Sequence, residues 1–116
     1  MKNLVQRYGS VVGVKDSMVD RYQELHAAVW PKVLVMLKRS NIRNYSIYLR
    51  KLADGHHHLF SYFEYTGNDF AVDMAQIAAD PATQRWWAEC VPCLDLLPDR
   101  APGEIWSPMK EVFHLD

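Results

Sequence analysis

Few of the features that assign a small protein at once are present in this chain. It has only two cysteines, which excludes a disulfide framework. No run approaches the roughly 20 consecutive apolar residues that a membrane-spanning helix needs. Its 13 Lys and Arg nearly balance 14 Asp and Glu, for a formal net charge of −1. Such a balance supplies no electrostatic attraction for nucleic acid or for an anionic membrane surface. Met1 to Tyr8 contains no apolar stretch of signal-peptide length, so the expected compartment is the cytoplasm. There is no phosphate-binding loop, no Ser/His/Asp signature, no zinc spacing and no internal repeat. What remains is an ordinary globular composition, 49% apolar and 23% charged over 116 residues. That length fits a single domain, 1–116, large enough to bury a core without disulfides or metal.

Hydrophobic spacing divides the chain into elements. Leu4 to Val14 is rich in valine and tyrosine and reads as a strand. Asp16 or Ser17 can cap a helix start. Met18, Tyr22, Leu25, Val29, Val33, Met36 and Leu37 then recur at helical spacing. Pro31 must interrupt that helix, because proline lacks an N–H and forces the preceding residue out of the α region. Ile42 to Leu52 and His58 to Tyr65 form a hairpin across Ala53-Asp54-Gly55. A short helix over 68–79 is followed by one that Asp80-Pro81 opens, with Asp as N-cap and Pro in the first turn. It is expected to run to about Leu97. Pro98 to Pro108 reads as a loop, and Glu111 to Leu115 as a last strand.

The resulting order, β-α-β-β-α-β, predicts an α+β fold of the ferredoxin-like, split βαβ type. Its helices would cover one face of a four-stranded sheet. An uncovered second face rich in Tyr, Phe, Ile and Val is unusual in a soluble monomer. A second subunit is the simplest cover, so a homodimeric α/β barrel is expected.

Several residues could carry chemistry. Tyr22 and His26 lie four apart, on one face of a helix. Histidine exchanges protons near neutral pH. Trp30 follows at the same step, where Pro31 disturbs the helix. On the next strand, alternation sends Asn44 and Tyr48 to one face and Tyr45 to the other. Trp86 and Trp87 are adjacent. A helix turns about 100° per residue, so both cannot occupy the centre of one buried stripe. Trp86 heads a four-three-four stripe with Cys90, Cys93 and Leu97 and is expected to reach the core. Trp87 lies off that stripe, free for a cleft, where an indole face suits the C–H face of a sugar.

Two other strings read as structural. His56-His57-His58 alternates across a hairpin tip, with no ligand set of metal spacing nearby. Cys90-Val91-Pro92-Cys93 has the form of a redox motif. Such a motif opens a helix, whereas this one falls inside a segment that Asp80-Pro81 has already started.

Tyr22-Gln-Glu-Leu-His26, Val29-Trp30-Pro31, Asn44-Tyr45-Ser-Ile-Tyr48-Leu49, Gln84-Arg85-Trp86-Trp87 and Glu111-Val112-Phe113-His114-Leu115 occur in this order. Together they resemble the L-rhamnose mutarotase family over nearly the whole chain. The resemblance implies an enzyme that needs no cofactor and no metal and interconverts the α and β anomers of a 6-deoxy-L-hexose. It implies a dimeric ferredoxin-like barrel, a catalytic histidine at His26, and substrate contacts at Tyr22, Tyr45, Trp86 and Trp87. Ala27-Ala28, after the histidine, departs from the Asn-Pro of one relative, and the His56-His57-His58 hairpin is longer. The first departure lies next to the catalytic position and keeps L-fucose open as the substrate. The same barrel also serves cofactor-free monooxygenases, and a non-catalytic sugar-binding module is a third reading.

Overall fold

The computed structural model describes residues 4–116. Among them are five strands and four α-helices: β1 (Gln6–Val14), α1 (Val19–Ala27), α2 (Pro31–Arg39), β2 (Ile42–Lys51), β3 (His57–Tyr65), α3 (Phe70–Ala79), α4 (Pro81–Cys90), β4 (Leu94–Asp95) and β5 (Ser107–Met109). Local chemistry explains most boundaries. Pro31 divides the first helical stretch: α1 ends at Ala27, Trp30 is extended, and proline starts α2. Asp80 caps α4 by accepting from the Thr83 N–H at 2.9 Å. Asp69 caps α3 in the same way through the Val72 N–H. Asp16 does not cap a helix. It begins a 3₁₀ turn, and its carboxylate accepts instead from His57 Nδ1 at 2.7 Å.

The sheet is antiparallel, in the order β2-β3-β1-β4, with β5 also paired to β1. β1 sits between β3 on one side and β4 and β5 on the other, which share its length. Val12 lies opposite Leu59, and both are buried under the helices with Val14, Leu25, Val33 and Trp86. A second cluster gathers Ile42, Tyr65 and Ile77. Strand alternation sends the intervening residues, among them Val11, Phe60 and Tyr48, to the face without helices. At Gly13 the chain passes so close to β4 that a Cβ would collide with the Asp95 backbone oxygen.

Two expectations fail. The helix opened by Asp80-Pro81 stops at Cys90 rather than near Leu97. Pro92 cannot continue it, and a 3₁₀ turn over Val91–Cys93 leads into β4. The last strand is Ser107–Met109, starting inside the expected loop, and not Glu111–Leu115. The register Gly9↔Met109 explains why. Continued along the chain, it brings Glu111 opposite Arg7, where the two form an ion pair at 2.9 Å. It would then put Phe113 opposite Val5, ahead of Gln6, the first residue of β1. From Phe113 onward the ladder partner runs out, and Lys110 to Asp116 lie outside any strand.

Candidate functional site

The break between α1 and α2 creates the site. His26 stands in the last turn of α1, and its ring stacks on Tyr22 with centroids 4.0 Å apart. Its Nδ1 lies 2.9 Å from the Tyr22 carbonyl oxygen. A carbonyl only accepts, so Nδ1 carries the proton and the neutral ring presents Nε2 as a free lone pair. Trp86, from α4, meets His26 edge-on at 5.2 Å and meets Trp30 edge-on at 5.2 Å. Tyr22, His26, Trp86 and Trp30 thus form one continuous aromatic chain.

His26, Tyr45, Trp86 and Trp87 line a single cavity of about 430 Å³, within the usual range of roughly 300–1,000 Å³ for small-molecule sites. Tyr22 does not line it. It borders a neighbouring cavity of about 320 Å³ that shares His26 and Ile47. The five expected positions are therefore brought together, four around the main cavity and Tyr22 behind the histidine. The tryptophans divide as their spacing implies: Trp86 is 6% exposed and belongs to the core, while Trp87 is 41% exposed at the cavity rim.

Tyr45 reaches the cavity by a device the sequence did not announce. Ile42 is buried against Tyr65, three residues before Tyr45, and strict alternation would send the two to opposite faces. The β2–β3 register shifts between Arg43 and Ser46, and Asn44 has a φ of 50°. This bulge inserts one residue and returns Tyr45 to the helix side, where its ring lies 5.4 Å from Phe63. Asn44 stays on the other face, bonded to Glu64 at 2.7 Å. Thr83, buried and lining the cavity, also went unread in sequence. Its hydroxyl donates to the capping Asp80 carboxylate at 2.8 Å. The aspartate cap was visible; the turn of α4 toward the cavity was not.

Burial sets the protonation states. It lowers the pKa of His26 from its ordinary value, against the opposing hydrogen bond to Tyr22, and so favours the neutral imidazole near pH 7. Burial raises the Tyr22 phenol well above its ordinary value, with further contributions from Tyr45 and the two thiols. Tyr45 is pushed up to about 12, again chiefly by burial. Both phenols therefore remain protonated and available as hydrogen-bond donors.

His56 and His57 meet Asp16, at 3.8 and 2.7 Å, away from the cavity. Cys90 and Cys93 are free and buried. Burial, reinforced by Cys93, pushes the Cys90 thiol up to about 12. Cys90 also closes α4, at the helix end whose dipole disfavours a thiolate. We expect no reaction of either thiol with an aromatic disulfide reagent in the native protein, and two equivalents released after denaturation. Rapid native labelling would restore a redox role.

Comparison with known proteins places this geometry. A family model described as L-rhamnose mutarotase matches residues 7–115. An L-rhamnose mutarotase of Phocaeicola vulgatus is 33% identical, over 89% of this chain and 91% of that protein. One from Lactiplantibacillus plantarum is 31% identical, over 95% and 98% of the two chains. The crystal structure of an L-rhamnose mutarotase from Formosa agariphila superposes with a TM-score of 0.71 at 22% identity, covering 96% of this chain and 99% of that one. Fold and cavity together define a small mixed α/β protein built around an aromatic-walled site. The chain belongs to the L-rhamnose mutarotase family.

Proposed function

We propose that this protein is an L-rhamnose mutarotase, interconverting the α and β pyranose anomers by acid–base ring opening. The observation that carries the chemistry is His26, neutral and fixed in one tautomer at the wall of the aromatic cavity. Mutarotation moves one proton from the anomeric hydroxyl to the ring oxygen and back. The Nε2 lone pair of His26 takes the proton from O1 as the C1=O bond forms and the C1–O5 bond breaks. O1 and O5 are both bonded to C1, so the resulting imidazolium can return the proton to O5 without changing place. The Tyr45 phenol, kept protonated by its surroundings, donates a hydrogen bond to a sugar oxygen. Tyr22 orients His26 through its carbonyl and its ring. Rotation about C1–C2 presents the other face of the aldehyde, and the same steps in reverse close the ring. Trp86 and Trp87 contact the apolar side of the sugar, including its 6-methyl group.

We further propose that the domain is a ferredoxin-like unit that works as a homodimeric α/β barrel in the cytoplasm. The strand order β2-β3-β1-β4, with helical pairs after β1 and β3, supports the fold assignment. Two free cysteines suit a reducing compartment. No helix among the described residues is long and apolar enough to cross a membrane.

Magnetisation-transfer NMR tests the activity. Catalytic amounts of protein should accelerate exchange between the anomeric proton signals of L-rhamnose, with L-fucose measured beside it and D-glucose as a control. Acceleration with L-fucose and none with L-rhamnose would reassign the sugar. No acceleration with either would overturn the mutarotase reading.

A further inference from the structure

The main cavity has a neighbour at each end. It shares His26 and Ile47 with the cavity of about 320 Å³ beside Tyr22. It shares Leu34, Leu37, Ile42 and Tyr45 with a third cavity, of about 770 Å³. No residue lines both outer cavities. His26 therefore stands at one end of the main cavity, and the opening into the third lies at the other.

Helical spacing builds one wall of the third cavity. Leu34, Leu37 and Lys38 lie on one face of α2, three and four residues apart. Opposite them are Ile42 to Tyr45, at the start of β2, with Glu64 and Thr66 at and just past the end of β3. The lining changes character here. In the main cavity the hydrogen-bonding side chains, apart from the indoles, are His26, Tyr45 and Thr83. The third cavity adds Lys38, Arg43, Asn44, Glu64 and Thr66 around the shared leucines and tyrosine. Arg43 is held in place, because its Nη1 donates to the Lys38 and Ile42 carbonyl oxygens at 2.9 and 2.8 Å. Lys38 is exposed and pairs with no carboxylate among the described residues. Apolar surface edged by fixed donors and acceptors suits a pyranose, whose C–H faces and hydroxyls need one of each.

We propose that the third cavity is a second glycosyl subsite, so that the enzyme also mutarotates 4-O-glycosylated L-rhamnose, a disaccharide with rhamnose at its reducing end. This rests on the mutarotase reading above and widens its substrate class. Mutarotation breaks and re-forms only the C1–O5 bond and moves one proton between O1 and O5. The glycosidic bond at O4 stays intact throughout. In a pyranose ring C4 lies directly across from C1. With C1 at His26, O4 points away from the histidine, toward the opening bounded by Leu34 and Tyr45. A glycosyl group on O4 enters the third cavity, where Lys38 and Arg43 donate to its hydroxyls. On O2, next to C1, the same group would be driven against the His26 end.

Magnetisation-transfer NMR tests this with L-rhamnose, 4-O-α-L-rhamnosyl-L-rhamnose and the 2-O-linked isomer. We expect faster anomer exchange in L-rhamnose and at the reducing end of the 4-O-linked disaccharide, and none in the 2-O-linked one. The KM of the 4-O-linked disaccharide should lie about tenfold below that of L-rhamnose, the scale of one charge-assisted hydrogen bond. Lys38→Ala, an exposed substitution, should raise the disaccharide KM roughly tenfold and leave L-rhamnose kinetics unchanged. Acceleration of L-rhamnose without the 4-O-linked disaccharide would overturn the subsite and leave the mutarotase standing. So would equal handling of the two disaccharides, or an equal effect of Lys38→Ala on L-rhamnose and the 4-O-linked sugar. Acceleration of none of the three would overturn the mutarotase reading as well.

Discussion

His26→Ala should lose most of the acceleration of L-rhamnose anomer exchange, roughly 10²- to 10⁴-fold in kcat, while binding of the sugar changes little. That range is what a positioned acid–base group contributes. The geometry allows a sharper expectation for pH. Nδ1 donates to the Tyr22 carbonyl, so the working atom is Nε2, and it works first as a base. The base exists only when the ring is neutral. Burial lowers the His26 pKa below its ordinary 6.5, so kcat/KM should be level through neutral pH and fall as the pH drops through that lowered value. A profile that instead rose on acidification would show that the protonated ring starts the reaction. Full activity in His26→Ala would remove the histidine from the mechanism. His26→Gln keeps a donor but no titrating base, and should lose both the activity and the acid limb.

The two tryptophans should separate stability from binding. Trp86 is buried, packs edge-on against both His26 and Trp30, and shares a cluster with Val33, Cys90 and Leu94. Trp86→Ala removes a large core side chain and should cost about 3–5 kcal/mol. In a domain of this size that lowers the midpoint of thermal unfolding by roughly 10 °C or more. Trp87 stands half-exposed at the cavity rim. Trp87→Ala should leave the unfolding midpoint within a few degrees, since exposed substitutions shift stability by roughly 0.5 kcal/mol or less. It should raise the KM for L-rhamnose about tenfold, the scale of one lost aromatic contact. Equal loss of stability in the two variants would contradict the division. An unchanged KM in Trp87→Ala would remove that ring from the sugar site.

Much of this was readable before any coordinates, because the responsible forces act over a few residues. Pro31 breaks a helix wherever it stands inside one, and Asp80-Pro81 opens one. The interval of four between Tyr22 and His26 puts both on one helix face, and the structure stacks their rings. The 100° step between Trp86 and Trp87 sorted one to the core and the other to the rim. What stayed hidden depended on a partner distant in sequence. The bulge that returns Tyr45 to the cavity exists because β2 must pair with β3 at both ends of its length. Nothing in Asn44-Tyr45 announces it. The last strand was misplaced for the same reason: Glu111 to Leu115 has a strand's residues, but β1 begins at Gln6 and sets no strand residue opposite Phe113 to Leu115.

The amino-acid sequence by itself determined the elements from β1 to the start of α4, the helix break, the aromatic and histidine inventory of the site and the family. Each is set by local sterics, by spacing along one element, or by the residue pattern itself. Only the tertiary structure decided that four of the five site positions share one cavity while Tyr22 supports His26 from behind. It also decided which nitrogen of His26 is free, and that the C-terminal residues stand away from their own core. Those features depend on where separate elements meet, and a hydrogen bond to one carbonyl or a missing ladder partner has no trace in the order of residues.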